Sequence, residues 1–243
     1  MGVSSFSFDG VSTTSYGIAV TQVNAYAAPQ RSRDIVSVPG RNGDIVFDNG
    51  RYENIIVSYD CAVINTDGDL DDFREQLMSR TNYVQIIDSY HPDEYRLGFP
   101  VAGMIPSMEV MTKVGKFRVA FNCKPQRFIV MITPIVPIDN RSGSGSVSLT
   151  HTNPTLFPAK PLIRVKGSGT LGINNDTITI AANSLSYIDI DCDVQDSRCG
   201  ATNANQYISL SGDSYPELAP GSNSISVGPG LYYELRNPRW WKL

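Results

Sequence analysis

Histidine is nearly absent from this chain of 243 residues, with only two copies, His91 and His151. Few histidines, no GxSxG nucleophile elbow and no isolated carboxylate pair leave no nucleophile–base arrangement to nominate, so the expectation is a protein that is not an enzyme. The four cysteines, Cys61, Cys123, Cys192 and Cys199, are too scattered for a disulfide framework, and with two histidines they offer no zinc spacing. Cys61 and Cys123 fall on apolar faces of strand-like segments, whereas Cys192 and Cys199 are close enough in sequence to bridge a loop. No run of about 18 apolar residues occurs, so nothing predicts a membrane span. The opening MGVSSFSFDG lacks the basic and apolar regions of a signal peptide. Excess positive charge is missing too: the net charge is −4 and the pI about 5.2, which argues against a dedicated nucleic-acid binder.

What is present is the composition of a folded, mainly β protein, with 41% hydrophobic and 18% charged residues. The organising stretch is residues 35–47, IVSVPGRNGDIVF. Two β-branched runs flank Pro39, Gly40, Arg41, Asn42 and Gly43, and Asn42-Gly43 is a strong signal for a tight reversal. Pro39 cannot donate to a ladder, which predicts an edge or an arm and not a central strand. Such a hairpin is either an ordinary surface hairpin or an arm whose open edges another chain covers.

Around it, Phe6 and Phe8 alternate with serines, residues 16–20 predict a strand, and residues 24–33 read as a loop feeding the hairpin. Residues 54–64 predict a strand with Ile55, Val57, Tyr59, Cys61 and Val63 on one face. A single helix is predicted over residues 69–79, where Leu70, Phe73 and Leu77 form an apolar stripe, Asp67 and Asp69 cap the start, and Arg80 complements the end. Strands at 83–87, 96–105 and 110–123 follow. In the last of these Phe117, Val119, Phe121 and Cys123 point inward and Lys116, Arg118 and Asn122 outward. Residues 131–162, with Pro134, Pro137, NRSGSGS, Pro154, Pro158 and Pro161, are poor in regular-structure signals and predict a joint between domains 1–133 and 134–243. Beyond it, short strands at 162–166, 177–180, 187–191, 207–210, 224–227 and 232–236 have the spacing of a β-sandwich. The fold class is therefore mainly β: a β-rich α+β first domain with one helix, then a β-sandwich.

Several patterns suggest ligands. Gly167, Gly169 and Gly172 spell GxGxxG, but the following INNDTITI has strand periodicity where a dinucleotide fold needs a helix. Asp67, Asp69 and Asp71 match the start of an EF-hand loop, which then fails at Asp72 and Met78. Asp189, Asp191 and Asp193 share a face and could gather a hard cation, although a solvated strand face yields the same alternation. His151-Thr152-Asn153-Pro154 and Glu234-Leu235-Arg236 resemble fragments of a galectin sugar site, incomplete at Thr155 and Leu231. Trp240 and Trp241 beside Arg239 either form a partner hot spot or close the second core.

The stretch VPGRNGD, the opening FSFDGVSTTSYGIAV, KFRVAFNCKPQR, PLIRVKGSGTLGIN, YIDIDCD, YPELAPGSNSI and the closing PRWWKL together resemble the distal tail protein (Dit) family of long-tailed bacteriophages. The resemblance spans nearly the whole chain in order. It implies a virion structural protein of the tail tip or baseplate, made in the host cytoplasm and used in host attachment. It further implies a hexameric homo-oligomeric ring that joins the tail tube protein to the tail-associated hub or lysin protein and the receptor-binding protein, with DNA passing through unbound. In that family the first domain builds the ring, a hairpin lies on the neighbouring subunit, and the second domain is a galectin-like β-sandwich. Val38, Pro39, Gly40, Arg41, Asn42 and Gly43 then belong to the subunit-interface arm. No cofactor, metal or catalytic residue is implied. The competing expectations are a carbohydrate-binding module of an adhesion device and a tail or cell-surface hydrolase for which no residues can be named.

Overall fold

The computed structural model describes residues 4–24, 27–63, 70–101, 107–109, 114–130 and 135–243. Strands make up 55% of the structure and helix 7%, as the mainly β expectation requires. The chain divides into two compact units, Met1–Val130 with Leu243, and Met131–Lys242.

In the first unit the strands are β1 (Phe6–Phe8), β2 (Val11–Ser12), β3 (Ile18–Asn24), β4 (Arg31–Val36), β5 (Ile45–Tyr52), β6 (Ile55–Val63), β7 (Val84–Asp88), β8 (Glu94–Pro100), β9 (Ser107–Glu109) and β10 (Val114–Ile129), with α1 (Leu70–Met78) between β6 and β7. The main sheet runs β2-β1-β7-β8-β10-β6-β3, antiparallel throughout, with β9 also on β10. Its inner face is the one the period-two pattern selects: Ile55, Val57, Tyr59, Cys61 and Val63 of β6, and Phe117, Val119, Phe121 and Cys123 of β10, are all buried. Helix α1 lays Phe73 and Leu77 on this core, with Leu70 packed beside them. Phe73 meets the rings of Phe8, Tyr16 and Phe117 at 5.9, 5.4 and 6.2 Å. Tyr59 is sealed in this core. Its hydroxyl donates to Asp88 at 3.1 Å, and Asp88 also accepts from the amides of Tyr90 and His91. Desolvation first, and then the Asp88 charge, hold the phenol protonated well beyond its ordinary range.

Three details differ from the sequence expectations. Strand β10 continues past Cys123 to Ile129, with a register shift against β8 between Cys123 and Arg127 where Pro125 lacks an N–H. Strand β4 occupies residues assigned to a feeding loop, because Arg31 and Arg33 pair across to β5 in a ribbon where polar residues are tolerated. Arg80 pairs with Asp9 at 3.4 Å instead of sitting in the last helical turn. The expected caps Asp67 and Asp69 lie outside the described residues, as do residues 64, 102–105 and 110–113 of the expected strands and 131–134 of the expected joint.

In the second unit the strands are β11 (Ile138–Asp139), β12 (Val147–Asn153), β13 (Leu162–Gly167), β14 (Gly169–Ile173), β15 (Asp176–Ile180), β16 (Ile188–Asp191), β17 (Asp196–Cys199), β18 (Thr202–Asn203), β19 (Ile208–Leu210), β20 (Gly221–Val227) and β21 (Leu231–Asn237). They form one sheet β11-β21-β13-β16-β17-β18 and another β12-β20-β14-β15-β19. Ile163, Val165, Ile190, Tyr233 and Leu235 of the first share one apolar cluster with Leu171, Ile173, Ile178, Ile225 and Val227 of the second, which makes this unit a β-sandwich. The GxGxxG stretch is part of it: a side chain on Gly167 would stand 2.2 Å from the Gly230 carbonyl oxygen, so glycine here lets two turns of the sandwich touch.

Candidate assembly interface

Among the described residues, strands β4 and β5 pair only with each other, forming a two-stranded ribbon separate from the other sheets. In its register Val36 faces Ile45, Ile35 faces Val46, Asp34 faces Phe47 and Arg33 faces Asp48. Paired residues share a face and alternate residues do too. One face therefore carries Val36, Ile45 and Phe47, and the other carries Ile35 and Val46. Ile35 is 65%, Phe47 55%, Val46 54% and Val36 45% exposed. An isolated two-stranded ribbon is marginal in water, and this one has apolar groups on both faces with neither covered.

The base of the ribbon is fixed. Arg31 donates to Asp48 at 2.5 Å and stacks over Tyr52 at 4.9 Å, while Asp48 also accepts from the Gly50 amide at 2.8 Å. The Arg31 hydrogen bond, followed by that of Gly50, holds the Asp48 carboxyl below its ordinary range. A register shift between Arg31 and Arg33, with Gly50 at φ +70°, marks a bulge that re-aims the strands. Ser32, the one buried residue of β4, accepts from Asn49 there at 3.3 Å.

At the tip the reversal is not the predicted two-residue Asn42-Gly43 turn, because Val36 and Ile45 are the last pair and residues 37–44 connect them. The hydrogen-bonded turn is Val38-Pro39-Gly40-Arg41, with the Arg41 amide donating to the Val38 carbonyl at 3.2 Å. Proline sets its second position, and Gly40 at φ +81° supplies the left-handed third position of a type II turn. Gly43 is also left-handed, at φ +82°, so Asn42-Gly43 bends the return path instead of closing the hairpin. Pro39, Gly40, Arg41, Asn42 and Gly43 are exposed and Val38 is half-buried. Arg41 has no carboxylate in ion-pair range among the described residues.

The other sequence candidates sit in the sandwich. Asp189 is held by Arg164 at 2.6 and 2.7 Å, and Asp191 by Arg239 at 2.5 and 2.7 Å. Burial pushes the Asp191 carboxyl up, yet Arg239 and the amides of Val194 and Asp193 outweigh it and bring it below its ordinary value. Those lone pairs serve arginines, and the described residues contain no group of three or more metal-ligating side chains. His151 points into the core, with Nε2 3.0 Å from the Tyr233 hydroxyl. Glu234 lies by Tyr232 and Arg236. Trp241 stacks on Phe157 at 4.2 Å and donates to the Pro158 carbonyl at 2.9 Å, and Trp240 packs against the second core. All four cysteines are free thiols, three of them buried. Burial pushes the Cys61, Cys123 and Cys192 thiols up to about 12.

Burial also lowers the His151 pKa from 6.5. The unfolded chain therefore takes up a proton near pH 6.5 that the folded unit refuses, so stability present above that pH falls as the pH drops toward the folded-state pKa. Thermal denaturation between pH 7.5 and 5 should show this loss in wild type, and His151→Gln should flatten it.

Residues 13–123 match the family model of the phage tail protein RIFT-related domain. The match covers a little under half of the chain, all of it in the first unit. Among solved structures, the Dit protein of phage SPP1, described as a paradigm of the hub adsorption apparatus in phages infecting Gram-positive bacteria, matches with 15% identity and a TM-score of 0.60, over 96% of this chain and 99% of that one. Chains from the phage p2 baseplate in its activated conformation match at 10% identity. With strontium the TM-score is 0.53 over 96% of this chain and 98% of that one, and with calcium it is 0.54 over 97% and 98%. At these identities the likeness is one of fold. No curated protein matches the sequence. The Dit resemblance read from the sequence is thus borne out by the match to a phage tail domain model in the first unit and by a fold like that of the SPP1 Dit protein over nearly the full length.

Proposed function

We propose that this chain is a structural hub of a phage tail tip or baseplate, without enzymatic activity, and that copies of it close into a ring. The supporting observation is the β4–β5 ribbon, whose two faces expose Ile35, Val36, Val46 and Phe47 and which pairs with no other strand among the described residues. A ring suits such an arm because each heterologous contact repeats until no open surface is left. Val38, Pro39, Gly40, Arg41, Asn42 and Gly43 form the tip that reaches the neighbour, where Arg41 meets a carboxylate. The ring is hexameric in line with the Dit resemblance. It sits at the distal tail tip of the virion and joins the tail tube to the tail-associated hub or lysin and the receptor-binding protein. DNA passes through its lumen without specific binding, aided by the chain's acidic balance. The second unit is the outward, galectin-like sandwich. The burial of His151 against Tyr233 disfavours the competing sugar-binding reading.

Light-scattering mass and negative-stain images of the purified protein test this directly. Deleting residues 39–43 leaves Ser37, Val38 and Asp44 to bridge the Val36–Ile45 pair, a connection short hairpins use. The expected product is a folded subunit with normal circular dichroism that no longer closes rings. Rings with wild-type concentration dependence would exclude the arm as the clasp.

A further inference from the structure

Sheet edges attract strands from other chains, and folded proteins blunt them by shortness, charge, proline or bulges. Most of the edges here are blunted. Strands β2, β11 and β18 have two residues each and β19 three. Strand β3 carries a register shift between Val20 and Gln22. The ribbon strands β4 and β5 bear Arg31, Arg33, Asp34, Asp48 and Arg51.

Strand β12, Val147–Asn153, has none of these devices. It is seven residues long, pairs among the described residues only with β20, keeps an unbroken register and contains no charged residue and no proline. Ser148, Thr150 and Thr152 are exposed on its outer face, while Leu149, His151 and Asn153 face inward. The strand is also held firmly. Asn223 of β20 donates to the His151 carbonyl at 3.3 Å, and Asn153 donates to the carbonyls of Phe157 and Leu218 at 2.9 and 3.1 Å. An unbulged edge strand with open backbone donors and acceptors is a template for one more strand.

The sequence of β12 selects its own copy as that strand. We propose that β12 pairs antiparallel with β12 of a second copy of this chain, about a two-fold axis at Thr150. In that register Thr150 faces Thr150 and Ser148 faces Thr152, hydroxyl pairs that favour cross-strand contact. Inward, Leu149 faces His151 and Val147 faces Asn153. No charge opposes a like charge anywhere along the pair, and the two five-stranded sheets become one. Such a contact is isologous, whereas the ring contact is heterologous, so this pairing does not depend on the arm. One strand of about 24 Å covers less area than a standard interface of about 1,200–2,000 Å², so the pair forms at high concentration or between copies already held close.

Cysteine cross-linking reads the register. Directly opposed residues in antiparallel strands lie about 4.5–5.5 Å apart between Cα atoms, within disulfide range. In a Cys199→Ser background under mild oxidation, Thr150→Cys should give a covalent dimer at least about tenfold faster than Ser148→Cys alone. Mixing Ser148→Cys with Thr152→Cys should restore the fast rate. A second pair of variants checks the result without oxidation: in the variant lacking residues 39–43, which is expected not to close rings, Thr150→Lys and Thr150→Glu should each fail to dimerise at concentrations where that variant alone does, and their equimolar mixture should dimerise. Equal cross-linking of Thr150→Cys and Ser148→Cys, or a Lys/Glu mixture no better than either variant alone, would overturn the proposal. So would an edge that takes up only a strand from another tail protein, with no self-pairing in either experiment.

Discussion

Phe47→Lys combined with Ile35→Thr is expected to leave the subunit folded and to weaken its self-association about 30- to 1,000-fold. Phe47 and Ile35 lie on opposite faces of the ribbon and are more exposed than covered within the single chain. Losing their remaining contacts there disturbs little. The replacements suit the isolated ribbon: a lysine at position 47 faces Asp34 as a cross-strand opposite-charge pair, and threonine keeps the β preference at position 35. In a ring the same positions are covered. Lost apolar burial there, with a lysine forced to desolvate or to push the arm away, amounts to about 2–4 kcal/mol per contact. Light scattering across a concentration series, with far-ultraviolet circular dichroism as the folding control, checks both halves. Unchanged mass at every concentration would mean that the exposed faces serve no subunit contact. Loss of the dichroism signal would mean that the ribbon packs on its own subunit.

The sequence revealed most where side-chain period and burial coincide. The stripe Leu70, Phe73 and Leu77, the inward set on β6 and the inward set on β10 all fall where the apolar pattern puts them, because each faces one continuous core. Strand β12 lies in the stretch poor in regular-structure signals because its inward positions include His151 and Asn153, whose burial depends on partners far along the chain, Tyr233 and Leu218. Strand β14 is masked by its glycines: in Gly169-Thr170-Leu171-Gly172-Ile173 glycine serves close backbone approach, and only Leu171 and Ile173 carry an apolar signal. Strand β17, Asp196–Cys199, is too short and polar to stand out, with only Ser197 fully inward. The ribbon was legible as a hairpin, but its turn was misplaced: Pro39-Gly40 and Asn42-Gly43 each encode a reversal, and only pairing between distant residues decides between them. Ile35, Val36, Val46 and Phe47 stay exposed in the subunit, so the apolar pattern that locates buried faces elsewhere does not do so here.

The largest effect on the subunit itself is expected from Phe73→Ala. Phe73 has no exposed surface and is walled in by the rings of Phe8, Tyr16 and Phe117, which belong to β1, the turn before β3, and β10. Removing it empties a site bounded by three separate elements, and the α1 backbone would have to shift to close the void. Partial collapse is therefore all that is available, and the expected loss is about 3–5 kcal/mol, against a total stability of about 5–15 kcal/mol for a domain. Leu77→Ala, at the other buried position of the stripe, should lose about 2–4 kcal/mol by the same mechanism. Met78→Ala, one residue on but 45% exposed, is the control and should stay within about 0.5 kcal/mol. Urea denaturation followed by near-ultraviolet dichroism should show the midpoint of the first unit falling in that order at constant slope, with the transition of the second unit unmoved. If Phe73→Ala and Met78→Ala had equal midpoints, α1 would not be the lid of this core, and the stripe that identifies the helix in sequence would have lost its physical meaning.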